Sequence, residues 1–351
     1  MLCLALPLTT ACKKTPISAE DPQPAEIGFT AASQAAWVKS GETSTPSFPH
    51  DDFGVWGIAR QAINSDYILW DDNDLTQVNK QQGSDIYVPI TPAYWFRGYV
   101  YDFIAVAPYT NSGITSTSVH TATNTMSFTY DMGAKYALRG IADYDPEDHY
   151  LFDLMGAASK TPEVGASTSS TQTLVFWHMM SKINIGAEFK DANGQTTTGN
   201  LTRVRIENVH SKMIYSIKYA TPSNENLNGL VVESNSLPSN QQILTSLNFN
   251  DVVSPKVDGK WSVHILPQVI SNFVVYIDYD IKEGDNTVYY KDVKYTMTNA
   301  SPSKYLANGQ YNWTFKIKPG QDISFNVTVK PWTSSDIADG DEDDNNDIEI
   351  I

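Results

Sequence analysis

Tyr311-Asn-Trp-Thr-Phe-Lys-Ile-Lys318, a Pro319-Gly320 breaker and Ile323-Ser-Phe-Asn-Val-Thr-Val-Lys-Pro-Trp332 decide the fold class. Aromatic and β-branched residues alternate with polar ones on both arms, most strictly on the second. A period of two places every other side chain on one face, so the stretch predicts an antiparallel hairpin with one face buried. Neither arm carries a His, Cys, Asp or Glu.

Working outward, the rest of the chain repeats this pattern. Ile27-Gly-Phe-Thr-Ala-Ala-Ser-Gln-Ala-Ala-Trp37 is read as a first strand, and Phe53-Gly-Val-Trp-Gly-Ile-Ala-Arg60 as a second, with glycines where a bulge or a close backbone approach is expected. Tyr99-Val-Tyr-Asp-Phe-Ile-Ala-Val-Ala-Pro-Tyr109 is a strongly apolar strand, and Thr125-Met-Ser-Phe-Thr-Tyr130 alternates again. Residues 157–173 are Ser-, Thr-, Ala- and Gly-rich, and the boundary between two halves is drawn near their end. Leu174-Val-Phe-Trp-His-Met-Met-Ser-Lys-Ile-Asn-Ile-Gly-Ala-Glu-Phe189, Leu201-Thr-Arg-Val-Arg-Ile-Glu-Asn-Val209, Asn272-Phe-Val-Val-Tyr-Ile-Asp-Tyr-Asp280 and Thr287-Val-Tyr-Tyr-Lys-Asp-Val-Lys-Tyr295 supply the second half. About seven strands per half with turn signals between them predict β-sandwiches.

Composition agrees. Of 351 residues, 40 are aromatic and 18% charged, a balance that favours sheets. The length suggests about two domains. The formal charge is −16, but eight acidic and no basic residues fall between Asp336 and Ile351, and no Lys/Arg cluster exists to neutralise phosphates, so nucleic acid is not expected as a partner.

The two cysteines, Cys3 and Cys12, both lie in the first dozen residues, so there is no disulfide framework. The apolar run Leu2-Cys-Leu-Ala-Leu-Pro-Leu-Thr-Thr-Ala-Cys12 resembles the end of a lipoprotein signal peptide, with Cys12 as the acylated residue. Thr9 stands where such peptides carry Leu, and no basic segment precedes the run, which places the expected start upstream of Met1. The run has roughly half the ~20 apolar residues needed to span a bilayer. Residues 13–26, rich in proline and charge, read as a tether.

Motifs for chemistry are sparse. Histidines at 50, 120, 149, 178, 210 and 264 show no metal-ligand spacing, and no His-Glu-x-x-His, Cys-x-x-Cys, Gly-x-Ser-x-Gly or phosphate-binding loop occurs. No catalytic, cofactor or metal residue is assigned, and the protein is not expected to be an enzyme. Asp143-Tyr-Asp-Pro-Glu-Asp148 and Asp339-Gly-Asp-Glu-Asp-Asp-Asn-Asn-Asp347 offer oxygen ligands, yet in the second Asp344 stands where a calcium loop needs glycine and Ile350 where it needs a bidentate Glu. A solvated acidic tail is the better reading. His178, within Phe176-Trp-His-Met-Met180, is read as a core histidine bonded to backbone or water. Tyr94, Trp95 and Phe96 could stack on sugars, but an internal role is expected for so apolar a run.

In order, the Cys12 segment, Ile27-Gly-Phe29, Phe53-Gly-Val55, Tyr94-Trp95, Phe103-Ile-Ala-Val-Ala-Pro-Tyr109, Asp153-Leu-Met-Gly-Ala157, Leu174-Val-Phe-Trp-His-Met-Met-Ser-Lys-Ile183, Leu266-Pro-Gln268 and Gly309-Gln-Tyr-Asn-Trp313 resemble the fimbrillin-like proteins of Bacteroidetes, across about residues 27–332. The resemblance implies an all-β chain of two tandem transthyretin-like Greek-key sandwiches, 27–172 and 173–335, after a signal segment (1–12) and linker (13–26) and before an acidic tail (336–351). It further implies a type V pilus subunit with adhesion as a further role, anchored in the outer membrane through lipid and polymerised with other pilin subunits by strand exchange. A protease removes the N-terminal strand in such proteins, commonly after arginine. Here the first arginine, Arg60, falls inside a core strand, and Lys39 in an exposed loop is the candidate site. Residues 348–351 alternate suitably for a donor strand but are few. A monomeric surface lipoprotein binding glycan or a host protein is the alternative reading, and a secreted β-sandwich hydrolase a third.

Overall fold

The computed structural model describes residues 24–33, 48–61, 66–70, 74–109, 113–123, 125–132, 153–165, 171–207, 209–210, 212–219, 230–236, 243–244, 247–250, 261–269, 273–297, 304–320, 324–331 and 348–349. Among the described residues, the regular elements are strands apart from one 3₁₀ turn at Thr121–Thr123. The all-β expectation holds.

The first sheet contains β1 (Gly28–Ser33), β2 (Asp52–Arg60), β3 (Tyr67–Ile68), β4 (Thr76–Lys80), β5 (Ile86–Pro89) and β6 (Val100–Ala107), together with two later strands, β9 (Met155–Lys160) and β10 (Thr171–His178). Its order is β3-β2-β4-β5-β1-β10-β9-β6, and β6 pairs back onto β2, so seven strands close into a ring with β3 appended. Phe29, Phe53, Val55, Tyr101, Phe103, Ala105, Met155, Leu174 and Phe176 fill its interior.

A second sheet covers the outside of β2, β6 and β9. It is built from β7 (Ile114–His120) and β8 (Thr125–Asp131) of the first half and β14 (Lys212–Tyr219) and β15 (Leu230–Ser236) of the second, ordered β15-β14-β8-β7. Trp56, Ile58, Ile104 and Val106 on the ring's outer face share one core with Met126, Phe128, Tyr215 and Ile217. Both faces of β2 are therefore buried, which is why Phe53–Ala59 is a near-continuous apolar run and not an alternating one.

The third sheet, β18-β11-β23-β24-β25, consists of β11 (Ser181–Phe189), β18 (Trp261–Ile265), β23 (Gly309–Ile317), β24 (Ser324–Pro331) and β25 (Ile348–Glu349). The fourth, β17-β12-β20-β21, holds β12 (Gly199–Glu207), β17 (Leu247–Asn250), β20 (Phe273–Glu283) and β21 (Asn286–Met297). Two short pairs complete the set, β13 (Val209–His210) with β16 (Ile243–Leu244) and β19 (Gln268–Val269) with β22 (Lys304–Tyr305).

The opening hairpin is β23–β24, antiparallel from Gly309↔Pro331 to Lys316↔Ser324, with Gly320 at a φ of 70° in the connection. Its inward residues Tyr311, Trp313, Phe315 and Ile317 face the fourth sheet. Phe273 lies 6.5 Å from Trp313 and Tyr295 6.1 Å from Phe315 between ring centroids, so these two sheets form a sandwich. On the outer face the register is marked by Asn184 donating to Asn312 Oδ1 (2.8 Å), while Asn312 donates to Thr328 (3.4 Å) across β11, β23 and β24.

Two sequence boundaries move. Residues 157–160, read as the start of a low-hydrophobicity boundary region, are part of β9, a buried ring strand. Its residues are small because the second sheet and the chain after β10 press against it: a methyl at Gly156 would lie 2.6 Å from Met179 Sδ and 3.3 Å from Ile217 Cδ1. The division drawn at 172/173 falls inside β10, which pairs with β1 and β9 in the ring, so the chain leaves the ring only after His178.

Candidate functional site

The feature best suited to a function is a strand, β1, and the slot it fills. Gly28–Ser33 runs parallel to β10, in register from Gly28↔Thr171 to Ser33↔Phe176, and antiparallel to β5 through Phe29↔Tyr87 and Thr30↔Ile86. Just before it, Ile27 N–H donates to the Ala93 carbonyl (2.8 Å) and Trp95 N–H to the Ala25 carbonyl (2.9 Å). The expected first strand, 27–37, is thus present as Gly28–Ser33, and residues 34–37 lie outside the described residues.

Alternation sends Ile27, Phe29 and Ala31 inward, and both Ile27 and Phe29 are fully buried. Phe29 meets Phe53 and Phe103 edge-on at 5.9 and 5.2 Å. Phe48, Tyr87, Trp95 and Phe176 extend this aromatic lining, with Phe48 4.5 Å from Phe176 and 5.8 Å from Tyr87. On the outward side, the Thr30 and Thr173 hydroxyls bond at 3.0 Å. Tyr87 donates to the His50 carbonyl (3.0 Å), and burial, aided by Asp51 and Asp85, pushes its phenol up to about 12. Phe48 was missed in the sequence, where it lies in a Ser-, Thr- and Pro-rich stretch. A lone aromatic in a polar loop was the available signal.

The slot has the chemistry of a strand-binding site. Without β1, the facing edges of β5 and β10 would expose unpaired backbone groups beside an apolar trough, and another strand could satisfy both at once. Cys12 and Lys39, the expected lipidation and processing residues, lie outside the described residues, as do both acidic runs.

Other singled-out residues are placed as follows. Arg60, at the end of β2, bonds Asp102 (3.0 Å), Asp66 and the Thr121 carbonyl (2.7 Å), which makes it a structural residue. His178 is buried as expected, but its partner is a carboxylate: Nδ1 lies 2.6 Å from Asp153 Oδ2. Burial pushes Asp153 up, but the charges of His178, His264 and His50 and the His178 bond outweigh it and hold this carboxyl below its usual range. The pair sits where the ring hands over to β11, beside the Met179 N–H to Leu154 carbonyl bond (2.7 Å), and clamps the ends of β9 and β10.

The Tyr94–Phe96 run divides. Trp95 is buried, whereas Tyr94 is 38% and Phe96 42% exposed, so the internal role holds for Trp95 alone. The run is a connection in which neighbouring side chains point opposite ways. Among the described residues, no group of three His, Cys, Asp or Glu could hold a metal ion, and no helix is long and apolar enough to cross a membrane. The tail residues Ile348–Glu349 form β25 on the outer edge of β24.

The family model for fimbrillin-like proteins matches residues 44–332. The chain belongs to the fimbrillin-like family. A fimbrial protein from Bacteroides vulgatus shares the fold, with a TM-score of 0.52, 14% identity, and coverage of 88% of this chain and 100% of that one. A proposed cell adhesion protein from Bacteroides uniformis (TM-score 0.45, 17% identity, coverage 88% and 98%) and a fimbrilin from Porphyromonas gingivalis (TM-score 0.41, 12% identity, coverage 88% and 98%) are also similar. No curated protein matches the sequence. This fimbrillin-like chain is a structural fimbrial protein of the cell surface.

Proposed function

We propose that this fimbrillin-like protein is a non-enzymatic subunit of a type V pilus that joins other pilin subunits by strand exchange, with β1 as the strand that gives way. The observation that carries this reading is the two-sided seating of β1. It is the first described strand, it is bonded to β5 on one side and β10 on the other, and its removal opens a closed ring along one trough.

In this reading Cys12 carries the lipid that holds the precursor at the outer membrane, and cleavage after Lys39 frees β1 from Phe48 and the rest of the ring. Cutting at Arg60 would sever β2 from its partners β3, β4 and β6 and destroy the acceptor itself. The two-sandwich division fits a handover after His178, with β14–β8 pairing coupling the halves so that a pull on one is transmitted to the other.

The test is mass spectrometry of the assembled polymer and of a Lys39→Gln variant. Polymer subunits beginning at Ser40, and a variant that stays unassembled, are expected. A polymer whose subunits retain Phe29 in the same polypeptide as Phe53 refutes the proposal.

A further inference from the structure

The strand β21 raises a separate question of assembly. Its twelve residues, Asn286–Met297, lie at the edge of the fourth sheet. They include the β-favouring run Thr287-Val-Tyr-Tyr290, in which Tyr289 is 70% exposed. A long edge of this composition is a template for strand addition by a second copy of the chain.

The edge is not regular, and the irregularity is built from charge. Pairing with β20 runs to Ile277↔Val293 and resumes at Tyr279↔Tyr290, so Lys291 and Asp292 together oppose the single residue Asp278. This is a bulge, which bends and twists the strand that carries it. Asp292 adopts a φ of 51°, a left-handed conformation normally left to glycine. On the other side of β20 the ladder to β12 also shifts, between Leu201 and Arg203, again at Tyr279 and Asp278. Two irregularities in neighbouring ladders therefore meet at one carboxylate.

That carboxylate holds them together. Asp278 Oδ1 accepts the Asp292 N–H (2.6 Å) and a bond from Arg203 Nη2 (3.1 Å), and Arg203 Nε stands 2.9 Å from Oδ2. Arg203 Nη2 also bonds Asp292 Oδ1, and Arg205 Nη2 lies 3.9 Å from the same oxygen and from Glu207. Lys291 and Lys294 add exposed charge to the same strand.

We propose that the Arg203–Asp278–Asp292 cluster is an edge guard: it fixes the bulge that closes β21 to a second copy of the chain and so suppresses lateral association. The guard does not depend on strand exchange at β1, and it removes a competitor to any end-to-end assembly.

The experiment is sedimentation velocity over a wide concentration range on the full, uncleaved chain, so that exchange at β1 does not contribute. Deleting Asp292 restores one-for-one pairing with β20, and roughly tenfold or greater strengthening of self-association over wild type is expected. Asp292→Gly, which keeps the left-handed turn, is expected to stay much closer to wild type. Adding Tyr289→Lys to the deletion is expected to reverse the gain by charging the opened edge. If the deletion variant does not fold, the paired substitution Arg203→Met with Asp292→Val, at unchanged chain length, takes its place. A folded variant of either kind with wild-type sedimentation, or association unaffected by Tyr289→Lys, overturns the proposal.

Discussion

Replacing Phe29 with alanine tests the seating of β1 most directly. The ring is fully buried and touches Phe53 and Phe103 edge-on, in a cavity whose other walls are fixed by strands on both sides. Truncating a Phe in such a place costs about 3–5 kcal/mol, the transfer and cavity contributions together. With a urea dependence of about 3 kcal/mol per molar for a chain of this size, the unfolding midpoint falls by between about 1 and 2 M. The adjacent substitution Thr30→Ala removes only an outward hydroxyl bond, worth about 1 kcal/mol or less, and shifts the midpoint by a few tenths molar. Tryptophan fluorescence reads the transition, because Trp95 packs in the same core, 6.0 Å from Phe103. Hydrogen exchange adds a local measure: in Phe29→Ala, amides of β5 and β10 facing β1 should exchange faster than those of β23. Equal effects of the two substitutions, or a Phe29→Ala shift as small as that expected for Thr30→Ala, would refute the argument that β1 is an inward-facing strand of the ring.

Three further outcomes are expected. Gly57→Ala places a methyl 2.8 Å from Leu69 Cδ1 and 2.9 Å from the Phe103 ring, and should cost about 1–3 kcal/mol by thermal or urea unfolding. Because Asp153 is held below its usual range when folded, its contribution to stability is complete above the unfolded carboxylate value of about 3.9 and is lost as pH falls through the lower folded value. Asp153→Asn should therefore be less stable than wild type at neutral pH and show a shallower loss on acidification. Tyr87 and Tyr279, both raised to about 12, work in the opposite direction: their contribution is intact below the ordinary phenol value of 10 and lost as pH climbs toward about 12. Tyr87→Phe with Tyr279→Phe should flatten the fall in stability across that range, followed by unfolding midpoints and phenolate absorbance.

What the sequence made legible follows from how local each signal is. The β23–β24 hairpin needs only its own alternation and a Pro-Gly turn, and it appears as read. β1 was visible as an apolar alternation ahead of a polar loop, though its place between β5 and a parallel β10 was not, since Gly28 and Thr171 are far apart in the chain and nothing local fixes their register. The same distance hid the pairing of β8 with β14, and with it the second sheet. That sheet explains two local misreadings. It buries the outer face of β2, erasing alternation there, and it crowds β9, so that Ala157 and Ala158 read as the start of a boundary stretch although they lie in a core. The edge guard was hidden for a different reason: a bulge is normally announced by glycine, and here an aspartate takes that position because Asp278 accepts its N–H and Arg203 donates to its carboxylate. Local patterns reveal strands whose two faces meet different environments. They fail where tertiary contacts make both faces apolar, require small side chains, or hold an unfavourable backbone with a charge.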